Sequence, residues 1–142
     1  MLREIQVNKS ERIVYAMNED YEVIAKYPCS CAYYAGYNEY NQPYCNADNG
    51  TYMGEQVYAE ANGKDHWETA YGWAYINIDT RGHALHGGGT NLGEDYNQPY
   101  QSLLPTLGCF RMHNADVYHL ALMFLDAEEK GHKPVITVVE NE

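Results

Sequence analysis

In the stretch ALHGGGT, Ala84 to Thr90, one histidine, His86, runs directly into three glycines. Two chemistries use such a run. In lipases and esterases an HGGG segment turns backbone N–H groups toward an oxyanion, and it works with a G-x-S-x-G elbow in an alternating α/β chain. No such elbow occurs here, and the chain is short and strand-rich. The other use is a histidine at a strand end that serves as base for a nucleophile elsewhere in the sequence.

The segment PTLGCFRMHNADVYHL, Pro105 to Leu120, supplies that nucleophile. A free cysteine titrates near about 8.5, so Cys109 needs a base to become thiolate at neutral pH. His86 can take its proton and hold an ion pair. Gly108 allows close backbone approach, and N–H groups around Cys109 can face a developing oxyanion. Arg111 is either a planar clamp for a substrate carboxylate or an ion-pair partner of Asp116. Thr106 either orients the nucleophile loop or caps a turn. His83 competes with His86 for the role of base, but on a strand the two point to opposite faces and only one can enter the site. His113 and His119 read as a loop and a helix-surface histidine.

The elements that must position these groups are mostly strands. REIQVN (Arg3–Asn8), ERIVYAMN (Glu11–Asn18) and YEVIAKYPCSCA (Tyr21–Ala32) are separated by turn-forming NKS and NED, a meander of hairpins. A loop over Tyr33–Asn49 precedes strands at Gly50–Glu60, Tyr71–Asp79 and His83–His86. Tyr71, Trp73 and Tyr75 alternate on the second of these, as a groove wall or as core, with Trp73 read as core. The pentapeptide YNQPY occurs at Tyr40–Tyr44 and at Tyr96–Tyr100. It marks either two similar turns flanking one cleft or a coincidence of composition. One helix stands out: Asn114 as N-cap, then Val117, Leu120, Ala121, Phe124, Leu125 and Ala127 at helical spacing, with Gly131 as its stop. PVITVVE (Pro134–Glu140) closes the chain as a buried strand. The expected fold is mostly β (α+β), a single domain over residues 1–142 with one main helix after Cys109.

Composition narrows the partners. The 142 residues carry 20 acidic against 9 basic side chains, a net charge of −11, which repels a phosphate backbone and excludes nucleic acid as a natural partner. Fifteen tyrosines against two phenylalanines suit a half-wet groove as well as strand faces. No apolar run reaches membrane-spanning length, and the first residues lack a signal-peptide core, so an exported chain would have lost its leader. Cys29, Cys31, Cys45 and Cys109 lack zinc spacing, and no metal or other cofactor is expected. Cys45 either pairs with Cys29 or Cys31, or all three are buried thiols.

Together, His86-Gly87 at a strand end, Thr106-Leu107-Gly108-Cys109-Phe110-Arg111-Met112, and Asn114-Ala115-Asp116-Val117 resemble the L,D-transpeptidase (YkuD-like) catalytic domain. The opening hairpins are similar too, and NGTYMG stands where that family often carries a TPxG turn. Leu107 replaces the histidine often found two residues before the cysteine, and the loop from His86 to Thr106 is longer than usual. The resemblance implies a β-sandwich or barrel-like sheet with one helix after the cysteine. It also implies catalysis by Cys109 and His86, the Gly87 carbonyl orienting the imidazole, and Arg111, Thr106, Gly108 and Tyr75 around the substrate. The implied substrate is a peptidoglycan stem peptide, joined 3–3 through a Cys109 thioester at the cell envelope. An L,D-carboxypeptidase, an exchange enzyme, a toxin or phage-type lytic enzyme, and a non-catalytic wall-binding module use the same features.

Overall fold

A computed structural model of the chain describes residues 1–30, 48–54, 56–60, 71–80, 82–104, 106 and 109–140. These residues form two sheets and one long helix around a shared core. The first sheet starts as the expected meander: β1 (Leu2–Asn8), β2 (Ile13–Asn18) and β3 (Val23–Pro28), each antiparallel to the next. Leu2 and Ile5 are both buried although three residues apart, because a register shift between Leu2 and Glu4 resets the alternation. β3 is an edge strand and leaves Val23 and Ile24 exposed.

The last strand, β9, spans Val135–Val139 and lies parallel to β1, burying Ile136 and Val138. A parallel neighbour cannot be reached by a hairpin, so the chain between must cross over. That crossover contains the rest of the fold.

The segment Gly50–Glu60, expected as one strand, is two. β4 (Gly50–Tyr52) pairs with β9 at the far edge of the first sheet, whereas β5 (Val57–Ala59) opens the second. The break falls at Gly54, where an added Cβ would sit 2.7 Å from the Asn77 carbonyl oxygen. The second sheet continues with β6 (Ala74–Asn77), β7 (Ala84–His86) and β8 (Phe110–Arg111), in the order β5-β6-β7-β8. β6 is antiparallel to β5 and β7, while β7 and β8 run parallel. A 3-10 segment over Thr90–Asn97, kinked at Gly93, lies in what sequence alone reads as irregular chain.

The helix α1 spans Asn114–Glu129 and packs on β5, β6 and β7 while also reaching β1, so both sheets share one core. Val117, Leu120, Ala121, Phe124 and Ala127 are fully buried. Leu125 is 37% exposed and leaves the expected stripe, because it falls on the far side of Ala121, about 100° beyond Phe124. Gly131 (φ 85) ends the helix in the left-handed conformation. The start differs from expectation: His113 is the N-cap residue, and Asn114 is the first helical residue, turned fully inward. Cys29 is buried in the core, while Cys31, Cys45 and the first YNQPY copy lie outside the described residues.

Candidate active site

β7 and β8 bring the two halves of the site together. Their pairing sets Leu85 against Phe110 and His86 against Arg111. Leu85 and Phe110 are fully buried in the core, which turns His86 and Arg111 to the other face. Cys109 directly precedes β8, and the Arg111 charge acts on both its thiol and the His86 imidazole. Its Sγ lies 3.7 Å from the Gly82 carbonyl oxygen and is also hydrogen-bonded by the Ala84 backbone N–H.

His86 is 5% exposed. Its Nδ1 is 2.7 Å from the Gly87 carbonyl oxygen. A carbonyl only accepts, so Nδ1 carries the hydrogen and Nε2 keeps its lone pair. Burial lowers the imidazole pKa to about 4. The Gly87 carbonyl opposes that shift and the Arg111 charge adds to it. Burial also raises the Cys109 thiol, against the Ala84 N–H; Asp79 raises it further and Arg111 lowers it. Both shifts favour the uncharged forms, because a shielded site penalises either charge.

Arg111 is 7% exposed, and its Nη1 donates to the Leu104 carbonyl oxygen at 2.6 Å. Ser30 holds the same strand from its other side through two backbone bonds with Arg111, 2.8 and 3.1 Å. Asp116, its alternative partner, sits on the first turn of α1, where burial raises its carboxyl pKa against the lowering effect of His113 and His119. Thr106 Oγ1 donates to the Cys109 carbonyl oxygen and so ties the nucleophile loop. Gly108 lies outside the described residues.

Tyr75 is the direct cross-strand partner of His86 and donates to Gln56 Oε1 at 3.1 Å. It stacks on Tyr58 (6.2 Å between centroids) and lies 5.7 Å from Tyr71, whose ring meets the imidazole edge-on at 5.3 Å. Trp73 leaves this row: it is buried, with Nε1 donating to Asn97 Oδ1 at 2.9 Å. Gln56, Asn77, Asp79, Thr80 and Gly82, whose carbonyl meets the thiol, line a cleft of about 270 Å³. His83 pairs instead with the Asp79 carboxylate at 2.7 Å. Among the described residues no three His, Cys, Asp or Glu side chains converge on a metal position.

Sequence reasoning missed Asn114 and Gln101. Asn114 Oδ1 accepts from Gly88 N (2.9 Å) and Trp73 N (3.2 Å), and Nδ2 donates to the Tyr96 and Gln98 carbonyls at 2.7 Å each. All four hydrogen-bonding sites of the amide are satisfied in this orientation alone. Gln101 Oε1 accepts from Asn114 N (2.7 Å), and its Nε2 donates to the carbonyls of Gly88 (3.2 Å) and Met112 (2.9 Å). A Cβ on Gly72 or Gly87 would stand 2.0 or 2.1 Å from Asn114 Oδ1, so both positions require glycine. The second YNQPY copy is thus a rim of carbonyls seated on a buried amide. An asparagine before a helical stripe carries the signal of a cap, and only the packed structure turns it inward.

Residues 2–136 match the family described as the L,D-transpeptidase catalytic domain, YkuD. None of the curated proteins matches the chain. Among solved structures, an L,D-transpeptidase from Xylanimonas cellulosilytica superposes with a TM-score of 0.55 at 17% identity, over 96% of this chain and 60% of that one. An L,D-transpeptidase from Stackebrandtia nassauensis gives 0.57 at 16% identity, over 100% of this chain and 57% of that one. The chain therefore spans little more than half the length of these solved relatives, and at such identities they speak for the fold. The match over nearly its full length places the chain in the L,D-transpeptidase catalytic-domain family.

Proposed function

We propose that this chain transfers acyl groups between peptidoglycan stem peptides through a thioester on Cys109. The observation that carries the reading is the common face of β7 and β8. It holds an imidazole with its Nε2 lone pair available and a guanidinium, while the thiol directly before β8 lies 3.7 Å from the carbonyl oxygen of Gly82, a residue that lines a polar cleft.

In the first half-reaction His86 Nε2 takes the thiol proton as Sγ attacks the carbonyl between the third, diamino-acid residue and the D-residue at position four. The tetrahedral intermediate collapses, the C–N bond breaks, and the leaving amine takes the proton from His86. In the second half-reaction an amine of another stem attacks the thioester and gives its proton to His86. The C–S bond breaks, and the proton returns to Cys109, leaving a 3–3 cross-link. Because burial disfavours a charge on either group, thiolate forms as the proton moves to His86, and the Arg111 charge stabilises it while it exists. Tyr75 and Tyr71 wall the groove beside the imidazole, and the Asp79 cleft accepts polar substrate groups. The substrate places the enzyme at the cell envelope, and among the described residues no helix is long and apolar enough to cross a membrane.

Mass spectrometry of the protein incubated with disaccharide-tetrapeptide, beside a Cys109→Ala control, tests this. A cysteine-dependent dimer is the expected product. Tripeptide alone would make the enzyme an L,D-carboxypeptidase, and turnover by the alanine variant would refute Cys109 as nucleophile.

A further inference from the structure

We propose that Asn114, assisted by Gln101, is a positioning residue that selects the tautomer of His86 through a single peptide group. The inference rests on the reading of His86 as base. The group is the peptide between Gly87 and Gly88. Its carbonyl oxygen faces His86 Nδ1 at 2.7 Å, and its N–H donates to Asn114 Oδ1 at 2.9 Å. A trans peptide is planar, with its C=O and N–H pointing in opposite directions. Fixing the N–H on one side therefore aims the carbonyl on the other. A carbonyl aimed at Nδ1 stabilises only the tautomer that carries hydrogen there, and so leaves Nε2 to accept a proton.

The amide is well suited to hold this plane. Asn114 is fully buried, and its oxygen is fixed by a second donor, Trp73 N, while its nitrogen is anchored on Tyr96 and Gln98. Gln101 holds the next carbonyl, that of Gly88, and His86's own carbonyl accepts from Met112 N at 2.7 Å. The backbone next to Nδ1 is thus fixed, and the one peptide that touches Nδ1 is set by Asn114. A tautomer chosen this way does not depend on a carboxylate partner. It adds no charge to a site where burial already holds the imidazole neutral.

The test is long-range 1H–15N NMR of the His86 imidazole at pH 7 in the wild type and in Asn114→Ala and Asn114→Asp. Both substitutions remove the Nδ2 donors, but only alanine also removes the acceptor for Gly88 N–H. The wild type and Asn114→Asp are expected to show hydrogen on Nδ1, and Asn114→Ala a shift toward hydrogen on Nε2. With disaccharide-tetrapeptide, kcat of Asn114→Ala should fall by at least about tenfold with little change in KM, since general-base catalysis contributes roughly 10²–10⁴-fold. Should the alanine variant fail to fold, Gln101→Met, which frees the Gly88 carbonyl, is expected to move the tautomer in the same direction. A wild type with hydrogen on Nε2, or a folded Asn114→Ala or Gln101→Met that keeps the Nδ1 hydrogen, overturns the inference. A wild type that has the stated tautomer but leaves the stem peptide untouched would instead refute the transpeptidase reading alone.

Discussion

Lowering the pH should destabilise this protein through His86 by an amount the structure sets. The imidazole pKa falls from 6.5 to about 4 on folding, because burial outweighs the Gly87 carbonyl and Arg111 adds to the fall. The folded-state pKa of this base is depressed, so the unfolded chain binds the proton more tightly. Stability is then fully present above pH 6.5, declines as the pH falls below it, and the decline levels off near pH 4. Between pH 7 and pH 4.5 the loss amounts to about 2.5 kcal/mol, at 1.36 kcal/mol per unit of differential protonation. With a urea m-value of about 1–3 kcal/mol/M, that corresponds to about 0.8–2.5 M in the unfolding midpoint. Carboxylates also respond to acid, so the comparison is with His86→Gln, which lacks the titrating ring. Urea unfolding of both proteins at pH 7 and 4.5, followed by tryptophan fluorescence, should show the extra loss only in the wild type. Equal losses in the two proteins would mean that His86 titrates freely and is not held neutral by its surroundings.

Thiol chemistry should report the same shielding from the other partner. Alkylation of Cys109 by iodoacetamide is expected to be slower at pH 7 than that of an unstructured cysteine peptide, and to rise with pH beyond the peptide's midpoint. A reactive plateau below pH 7 would signal a preformed ion pair and contradict the raised thiol. Two glycines with similar backbone conformations should respond very differently to alanine. Gly72 (φ 64) has Asn114 Oδ1 at 2.0 Å and Gly88 N at 2.4 Å from a new Cβ, whereas Gly131 (φ 85) has nothing within 4 Å. Thermal unfolding should show a loss of about 3 kcal/mol or more for Gly72→Ala and about 1 kcal/mol for Gly131→Ala; equal losses would mean that Asn114 does not occupy the space described.

Much of the fold is legible as pattern. Residues 3–8, 13–18 and 135–139 alternate or run apolar, because one or both faces of these strands meet the core, and the stripe from Val117 to Ala127 marks the helix. The chemistry-bearing pair is also legible, since a histidine before glycine and a cysteine after it, with an Arg-Met tail, are a specific combination. The length of β8 is not: a two-residue strand exists only because β7 pairs with one side and Ser30 bridges the other. Nor is the division of Gly50–Glu60, which turns on the Asn77 carbonyl beside Gly54.

Sequence by itself determined which groups are available: Cys109, His86, the glycines after it, an acidic surface and a chain of mostly short strands. Residue type and spacing suffice for that, because nucleophilicity, basicity and periodicity are local properties. Tertiary structure decided the state of those groups. Burial, a quantity no single position carries, raises the thiol pKa and lowers that of the imidazole. The register between β7 and β8 sets His86 beside Arg111, with Cys109 directly before that strand. The inward turn of Asn114 arises where a helix start, a glycine run and the loop over Tyr96–Gln98 converge, and three segments so far apart in the chain meet only when it is folded.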